Sequence, residues 1–503
     1  MLVKIKGSAL VGMNAISITV EVNISMGQGY NLVGLPDSAV RESLHRTESA
    51  IKSNGLFMPR TKLLVNLSPA EIKKSGAAFD LPITIGVLAA SEQLISNITL
   101  EDYIFMGELG LDGKLYPIKG ALAMTQQAKK EKFKGIILPL DNLVEASLVD
   151  GIDVFGFDSL SSLLQFIESP NLYTVSQTEP LVQSKQADTS LFTEIKGQES
   201  LKRALTIACA GNHNILMIGP PGAGKSMLAK SIVSILPPMS REEAIETTKI
   251  YSYNKQYQFD QGLMFERPFR APHHSITDIA LIGGGQSAHP GEISFAHNGV
   301  LFLDELPEFN RAVIEVLRQP MEDGYVQITR SQYSYQFPSK FLLIAAMNPC
   351  PCGYHTDPYK KCKCSEDKIH QYFNKISGPL LDRIDLQMNV LPVSFADLQP
   401  NSVNLNEVPK LIGDIQTVRE IQNKRIKQAE GKPIQAQLDS SSVRLLEKAM
   451  NNYHFSARAY TRIIKVARTI ADLDKSTQIQ TKHIYEAIQF RCMDREGNEK
   501  YQA

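Results

Sequence analysis

The sequence predicts a mixed α/β protein with a central parallel sheet and a helical C-terminal region. Three continuous apolar runs, Ile215–Ile218, Val300–Leu303 and Phe341–Ala346, are typical of strands that helices cover on both faces of a parallel sheet. Strand and helix patterns alternate before these runs, and amphipathic helical patterns follow them. A chain of 503 residues is long enough for about two to four domains.

Residues 1–168 form the first predicted domain, an α/β unit. Polarity alternates over Ile16–Ile24, which predicts a strand, and Asp37–Ser53 has the pattern of a helix. The apolar segment Leu81–Ala90 predicts a buried helix. We further predict two short parallel strands, Ile136–Pro139 and Val154–Phe157, with a helix between them. A closing helix is predicted over Leu160–Ile167.

The rest of the chain divides into a linker and two further predicted domains. Residues 169–190 are polar and rich in Gln, Ser and Thr, which is typical of a linker. Residues 191–400 contain the three apolar strands, with a cysteine-rich insertion at 349–365. Residues 401–503 form the helical domain, with amphipathic helices predicted over Val408–Lys427, Ser440–Asn451, Ala457–Asp472 and Thr481–Phe490.

Composition narrows the function only slightly. The formal net charge is zero, so the overall electrostatic field of the protein does not favour a nucleic-acid partner. A basic channel inside a ring whose exterior is neutral is still compatible with DNA binding. The N-terminus lacks the features of a signal peptide, and no apolar run approaches the roughly 20 residues that span a bilayer. We therefore expect a cytoplasmic protein without a membrane partner, whose cysteines are reduced.

A glycine-rich loop predicts the nucleotide site. It matches G-x-x-x-x-G-K-[ST] and lies between an apolar strand and an amphipathic helix, where glycines let backbone amides approach phosphate oxygens. We expect ATP with Mg2+ here, with the lysine on the β- and γ-phosphates and the serine hydroxyl on the metal. The loop consists of Gly219, Pro220, Pro221, Gly222, Ala223, Gly224, Lys225 and Ser226.

Polar residues follow each of the other two apolar strands. Asp304 and Glu305 end the second strand, where paired carboxylates are costly to bury unless a cation or substrate uses them. We assign Asp304 to Mg2+ and Glu305 to the attacking water as its base. Asn348 follows the third strand, beside the crevice where parallel sheets bind ligands, and is expected to hold the water or the γ-phosphate.

These motifs, in this order, resemble the AAA+ superfamily. The longer strings APHHSITDIALIGGG, PGEISFAHNGVLFLDELPEF, NPCPCGY and SGPLLDRIDL are similar to the magnesium-chelatase-like AAA+ proteins of the YifB/ComM family. The resemblance covers essentially the whole chain. It implies a hexameric ring ATPase, and ComM-like members act as DNA helicases that drive branch migration during natural transformation.

The resemblance also implies roles for two arginines. Arg383 matches the arginine finger that reaches the γ-phosphate of the neighbouring subunit, with a salt bridge to Asp382 or Asp385 as the alternative. Arg458 matches the sensor-2 arginine of the helical lid. Arg462 and Arg468 nearby show that an arginine here can also simply coat a helix. The segment Ile195–Gln198 sits where such proteins line the adenine pocket.

Four cysteines within one loop form two C-x-C pairs. Their density favours a tetrahedral Zn2+ site, with a redox pair or unligated thiols as alternatives. The spacing within a pair is shorter than the usual two to four residues, so His355 and His370 are candidate substitutes. The four are Cys350, Cys352, Cys362 and Cys364.

The same loop is basic and aromatic. Three lysines interleave with two tyrosines, a composition that suits phosphate contact and base stacking, and equally suits a solvated charged loop. These residues are Lys360, Lys361, Lys363, Tyr354 and Tyr359.

Residues 66–167 resemble the proteolytic domain of Lon, in the strings FMGELGLDGKLYPI and GIILP. Lon uses a Ser/Lys pair, and alignment by the surrounding turns puts Ala78 at the serine position and Leu122 at the lysine position. Neither side chain can act in catalysis. A shifted pair of Ser75 and Lys119 is an alternative, but the preferred interpretation is a Lon-like fold without peptidase activity.

Three classes of function remain. The preferred one is a ring motor that acts on single-stranded or branched DNA. The alternatives are a protein remodeller or Lon-like peptidase, and a metal-insertion ATPase of the magnesium-chelatase type.

Overall fold

The chain divides into two compact units, Met1–Gln183 with Ala244–Met264, and Ser184–Glu243 with Phe265–Ala503. The computed structural model describes residues 1–172, 190–193, 195, 197–252, 262–285, 289–329, 334–355, 357–392, 407–428 and 438–491. Most of the predicted linker, together with Lys196, lies outside these residues. Each unit has its own hydrophobic core.

The N-terminal unit contains a seven-stranded mixed sheet. The two long strands at the N-terminus form an antiparallel pair. On one side of this pair, three short strands continue the sheet in parallel. In spatial order the strands are Tyr30–Val33, Lys62–Ser68, Asn14–Ser25, Leu2–Val11, Tyr103–Phe105, Gly135–Pro139 and Asp153–Phe157. A two-stranded ladder pairs Glu108–Leu109 with Leu115–Tyr116.

The helices of this unit agree with the sequence pattern. Asp37 caps the first helix and accepts a hydrogen bond from the Val40 amide at 2.9 Å. The helix Asp80–Ala90 is buried on almost every side, as its continuous apolar sequence predicts. The α-helices are Ser38–Ser53, Asp80–Ala90, Ala121–Lys130, Leu143–Ser147 and Leu160–Glu168.

The sequence analysis did not identify the first strand of the chain, Leu2–Val11, although polarity alternates from Val3 to Lys6. Helix Asp80–Ala90 packs on this strand. A Cβ atom at Gly7 would lie 3.4 Å from the Met106 sulfur and 3.6 Å from Phe79 and Pro82. The alternation continues into Gly7, Ser8 and Ala9, which are small residues with little hydrophobic signal, so the pattern of the strand is weak at its centre.

The second unit is built on a five-stranded parallel sheet. All three predicted strands are present. The strand before the glycine-rich loop Gly219–Ser226, hereafter the P-loop, lies at an inner position of the sheet. In spatial order the strands are Phe269–Arg270, Val300–Leu303, Leu342–Met347, Ile215–Ile218 and Leu386–Asn389. The two edge strands, which the sequence analysis did not identify, are short.

Short helices and two small ladders surround this sheet. The ladders pair Gly283–Gly284 with His289–Pro290 and Tyr325–Thr329 with Ser334–Pro338. The helix Arg241–Tyr251 crosses the boundary between the two units. The other helices before residue 392 are Ser190–Thr193, Glu199–Gly211, Lys225–Ser231, Asp278–Ile282, Glu292–Phe295, Arg311–Glu315, Arg318–Asp323, Glu366–Phe373 and Gly378–Leu381.

Four helices follow the sheet and share its core. Ile415 and Val466 from these helices belong to the same buried cluster as Ile215 and Ile344 from the strands. Asp439 and Ser456 cap two of the helices. The helices are Glu407–Gln428, Ser440–Tyr453, Ala457–Leu473 and Thr481–Gln489, close to the predicted bounds.

Within the described parts of the chain, every helix is too short or too polar to cross a bilayer.

Candidate nucleotide-binding site

The P-loop joins the strand that ends at Ile218 to the helix that begins at Lys225. Gly222 and Gly224 both have φ of +82°, in the left-handed region that side chains rarely adopt. No atom lies within 4 Å of the Cβ position of either glycine. Open space at the helix N-terminus therefore faces a loop whose conformation needs glycine, as a phosphate cradle requires.

Lys225 is held at the back of this loop. Its ammonium donates to the Gly219 carbonyl at 2.6 Å, the Pro220 carbonyl at 3.0 Å and Asn348 Oδ1 at 3.1 Å. Burial lowers the pKa of Lys225, while two nearby carboxylates oppose that shift. The ammonium is placed at the loop, where phosphate oxygens can replace backbone carbonyls as its partners.

Three close backbone contacts fix the rest of the loop. The Ala223 amide donates to the Pro220 carbonyl at 3.3 Å. A Cβ atom at Gly219 would lie 2.4 Å from the Val390 carbonyl oxygen, so only glycine fits between the loop and the edge strand. The Gly219 amide also donates to the Met347 carbonyl at 3.2 Å, which ties the loop to the neighbouring strand that precedes Asn348.

Ser226 and Asp304 meet in front of the loop. The Ser226 hydroxyl donates to Asp304 Oδ2 at 2.6 Å, although the two residues are 78 positions apart. A hydroxyl and a carboxylate are oxygen ligands of the kind that Mg2+ prefers, and both lie beside the phosphate cradle. These residues therefore fit a Mg2+ ion bound together with a nucleotide.

Glu305 has an unusual backbone conformation for an acidic residue. Its φ is +52°, and its amide donates to Asp304 Oδ1 at 2.9 Å. Strain of this kind concentrates at functional sites, where it directs a side chain. The Glu305 side chain is 56% exposed, so water can reach the carboxylate.

The sequence analysis missed a histidine at this carboxylate. His274 Nδ1 lies 3.9 Å from Glu305 Oε2, and the His274 ring contacts that of His273, with 4.0 Å between centroids and 35° between planes. His274 follows the edge strand Phe269–Arg270, which pairs in parallel with Val300–Leu303. The only available signal was a pair of polar rings after a strand that is too short to recognise from sequence.

Arg383 forms its ion pair with an acidic residue that the sequence analysis did not name. Its guanidinium forms an ion pair with Glu322 at 2.7 Å and donates to the Pro379 carbonyl at 2.7 Å. The hydrogen bond from Arg383 lowers the pKa of Glu322. Arg383 is 8% exposed, and neither Asp382 nor Asp385 is its ion-pair partner among the described residues.

Asp385 instead pairs with Arg462 at 2.7 Å and with His213 at 3.5 Å. Burial raises the pKa of Asp385, but its hydrogen bond to His213 and the charges around it outweigh burial and keep the pKa lowered. The ion pair between Arg462 and Asp385 anchors helix Ala457–Leu473 to the start of strand Leu386–Asn389. Arg462 therefore has a structural role.

Arg458 and Gln198, two further predicted nucleotide-site residues, have different surroundings. Arg458 is exposed in the first turn of helix Ala457–Leu473, and its charge contributes to the lowered pKa of Glu322. Gln198 Nε2 donates to the Leu391 carbonyl at 3.2 Å and, weakly, to the Ala223 carbonyl at 3.4 Å. Its buried Oε1 has no hydrogen-bond partner among the described residues, and this acceptor beside the loop fits a ligand amino group.

The four cysteines converge. Their sulfur atoms all lie within 4.8 Å of one another, and Cys350 is buried while the others are half-buried. The alternative ligands His355 and His370 are exposed and lie outside this cluster.

Of the two positions aligned with the Lon pair, Ala78 is half-buried and Leu122 is buried. Leu122 is buried in helix Ala121–Lys130, and its amide donates to Glu145 at 3.0 Å. Ser75 and Lys119, the alternative pair, are both exposed, and neither side chain makes a hydrogen bond within the described residues.

Family models of magnesium chelatase match along the chain. The model described as magnesium chelatase, subunit ChlI, matches residues 191–398. The model described as subunit ChlI of Mg-chelatase matches residues 20–142, and that of the subunit ChlI C-terminal region matches residues 410–491.

Full-length relatives narrow this assignment. The chain is 42% identical to the competence protein ComM of Haemophilus influenzae, over 97% of each chain. It is 40% identical to the protein YifB of Escherichia coli, over 97% of this chain and 96% of that protein. A magnesium-chelatase subunit ChlI from Olisthodiscus luteus is 25% identical over 31% of this chain and 50% of its own length. Together with the parallel sheet and its P-loop, these matches show that the chain belongs to the YifB/ComM family of magnesium-chelatase-like AAA+ ATPases.

Proposed function

We propose that this protein is an ATP-hydrolysing ring motor, assembled as a hexamer, that acts on DNA as a helicase and promotes branch migration in recombination and natural transformation. The observation that carries the ATPase part is the gathering of Lys225, Ser226, Asp304, Glu305 and Asn348 at one end of the parallel sheet. The full-length similarity to a competence protein supports the DNA part.

The residues of the site divide the work of hydrolysis. Lys225 and the loop amides bind the β- and γ-phosphates. Ser226 and Asp304 would hold Mg2+, which would supply positive charge next to the phosphate oxygens. Glu305 takes the proton of the attacking water, and its exposed carboxylate and strained backbone suit that task. Asn348, fixed by Lys225, orients the water or the γ-phosphate.

A neighbouring subunit completes the reaction centre. We assign Arg383 to the γ-phosphate of the adjacent subunit, because the segment around it resembles the arginine-finger motif of the family. Within its own chain Arg383 pairs with Glu322. We assign Arg458 to the nucleotide of its own chain. A guanidinium supplied by a neighbour makes hydrolysis depend on assembly, which is what a ring motor needs to coordinate its subunits.

The composition of the cysteine-rich insertion at 349–365, which we call the cysteine loop, supports DNA as a partner although the net charge of the protein is zero. Lys360 lies 4.9 Å above the ring of Tyr354, and Tyr359 is 77% exposed. Exposed aromatic rings beside lysines can stack on bases and contact phosphates. A basic segment of this size provides local affinity that the overall charge does not reveal.

We place the domains as the sequence indicates, with an N-terminal domain at 1–168, a linker at 169–190, the ATPase core at 191–400 and a helical lid at 401–503. We assign the N-terminal domain a Lon-protease-like fold without peptidase activity. Ala78 and Leu122 occupy the aligned positions, and the exposed pair Ser75 and Lys119 lacks the supporting hydrogen bonds of an activated nucleophile.

An ATPase assay with and without forked DNA tests the proposal, together with sizing in ATP and strand displacement at low salt. We expect an ATP-dependent oligomer whose hydrolysis rises with forked DNA and which displaces a strand. ATPase activity that is indifferent to DNA, with no strand displacement, would reject the DNA motor. Stimulation by unfolded protein instead would favour the remodeller, and stimulation by a porphyrin with Mg2+ would favour metal insertion.

A further inference from the structure

We propose that the four cysteines of the loop bind one Zn2+ ion, and that this metal holds the loop against the P-loop so that the ATP site keeps its shape. Binding of zinc is independent of the proposed function, whereas its consequence for hydrolysis rests on the ATPase activity. The two parts therefore have separate tests.

The sulfur positions match a tetrahedral site. Cys350 Sγ lies 3.3 Å from Cys352 Sγ and 3.7 Å from Cys362 Sγ, and Cys352 Sγ lies 3.6 Å from Cys362 Sγ. Four sulfurs at about 2.3 Å from one zinc ion stand roughly 3.8 Å apart along the tetrahedral edges. A disulfide requires about 2.05 Å, so the cluster has the spacing of ligands around an ion and not that of a bonded pair.

The surroundings suit a tetrathiolate site. Four thiolates around Zn2+ leave a net negative charge, and three lysines in the same loop offset it. The Cys364 amide donates to Cys362 Sγ at 3.4 Å, an interaction that stabilises a thiolate. On binding, the thiols form bonds from sulfur to zinc and release their protons to solvent. Within the described part of the chain, this is the one group of histidine, cysteine and acidic side chains arranged as ligands.

The loop touches the nucleotide site at two points. Cys350 follows Asn348 by two residues, and Asn348 Oδ1 accepts the ammonium of Lys225 at 3.1 Å. Gly353 has φ of +85°, and a Cβ atom there would lie 2.6 Å from Cδ of Pro221. A metal that fixes Cys350 and Cys352 therefore also fixes their neighbours in the chain. Asn348, which contacts Lys225, and Gly353, which packs on Pro221, are then held in place.

Zinc binding is tested on the full-length protein, purified in a reducing buffer without added metal. We expect elemental analysis to find one zinc per chain, and a thiol-reactive mercurial to release it to a colorimetric indicator. Replacement by Co2+ should produce the visible absorption of a tetrahedral thiolate site. A protein that lacks zinc and also takes up neither Zn2+ nor Co2+, or whose cysteines form a disulfide under these conditions, overturns the metal site.

The variants separate the metal from the fold. Cys362→Ser with Cys364→Ser should lose the zinc, and Cys209→Ala, which removes a buried thiol outside the loop, should keep it. Circular dichroism on each variant distinguishes loss of metal from unfolding. If the double variant is unfolded, the cobalt spectrum of the unaltered protein decides the question alone.

The consequence for hydrolysis has its own pair of variants. We expect the zinc-free double variant to lose at least tenfold in kcat/KM for ATP, while Cys209→Ala hydrolyses ATP normally. Gly353→Val should retain zinc yet raise the KM for ATP, because its side chain displaces Pro221. Unchanged hydrolysis in both loop variants overturns the link to the ATP site and leaves zinc binding intact. An inactive unaltered protein that contains zinc contradicts the proposed function and not the metal site.

Discussion

Arg383 and Glu322 form an ion pair with 2.7 Å between guanidinium nitrogen and carboxylate oxygen. Arg383 is 8% exposed, whereas the Glu322 side chain keeps 45% of its exposure. The pair keeps the guanidinium buried and away from solvent, against a carboxylate that is itself accessible. The motif resemblance assigns Arg383 to a neighbouring subunit, and the contact with Glu322 is the one that the guanidinium would exchange for a phosphate.

Mixed rings test that assignment. Arg383→Ala alone should lose about 10³-fold in kcat while still binding ATP, because stabilisation of the transferring phosphoryl group is removed. Lys225→Ala alone should neither bind nor hydrolyse ATP. Mixed with Lys225→Ala subunits, Arg383→Ala subunits should regain activity in a steady-state ATPase assay, since each defective finger is replaced by an intact neighbour. Mixtures as inactive as the two separate variants, in rings of normal size, would show that Arg383 does not act in trans.

Replacing Glu305 by Gln should trap the ATP-bound oligomer. The amide cannot take a proton from water, so we expect a loss of about 10²-fold or more in kcat with little change in ATP affinity. Glu308→Gln, a nearby acid after the same strand, is the matched control. Single-turnover hydrolysis with sizing in ATP measures the effect, and a Glu305→Gln protein that turns over normally would remove the base from the mechanism.

His274 should act through Glu305. Its ring nitrogen lies 3.9 Å from the carboxylate, close enough to restrict its orientation. We expect His274→Ala to lower kcat roughly tenfold, with the KM for ATP unchanged, because misorientation affects the chemical step more than binding. His45→Ala, an exposed histidine of the N-terminal unit, should have no effect. If His274→Ala also impairs the Glu305→Gln background to the same extent, the histidine does not work through this carboxylate.

The lysines of the cysteine loop should carry DNA contact. Changing Lys360, Lys361 and Lys363 together to Ala should weaken binding of forked DNA and reduce the dependence of log K on log salt by up to about 1 per lysine. ATPase activity without DNA should persist, and zinc content confirms that the loop is intact. Lys129, Lys130 and Lys132 changed to Ala form a control of equal charge, and equal losses in both triple variants would indicate a general charge effect.

The N-terminal unit should show a pH dependence set by Glu145. Burial raises the pKa of Glu145 to about 7, although hydrogen bonds from Leu122 and Asn142 oppose the shift. The folded state therefore holds a proton more tightly than the unfolded chain, whose glutamate titrates near 4.5. This contribution to stability is complete below the unfolded pKa and is lost as pH rises towards 7, by about 3 kcal/mol in total.

Thermal unfolding of the full-length protein from pH 5 to 8 measures this effect. Glu145→Gln should gain stability relative to the unaltered protein as pH rises, because the amide stays neutral. Glu168→Gln, at an exposed glutamate, should follow the unaltered protein at every pH. Parallel curves for all three proteins would mean that Glu145 is ionised in the folded state without cost.

Local patterns in the sequence predicted most elements of the fold. The strand Val300–Leu303 and the helix Ala457–Leu473 were predicted within one residue of their bounds, because apolar periodicity depends on neighbours in the chain. Strand Leu2–Val11 was missed, since Gly7, Ser8 and Ala9 at its centre are small residues with little hydrophobic signal. The two-residue strand Phe269–Arg270 is too short to have a periodicity.

By itself the sequence determined the chemistry available to this protein: a glycine loop with Lys225, acids at the end of an apolar strand, and four thiols in one loop. Only the tertiary structure decided which groups meet. It brought Ser226 to Asp304 and His274 to Glu305, gave Arg383 the partner Glu322, and gathered the sulfurs to the exclusion of His355. The physical reason is that such contacts depend on the order of strands and on loop packing, which relate residues far apart in the chain and leave no periodic signal in it.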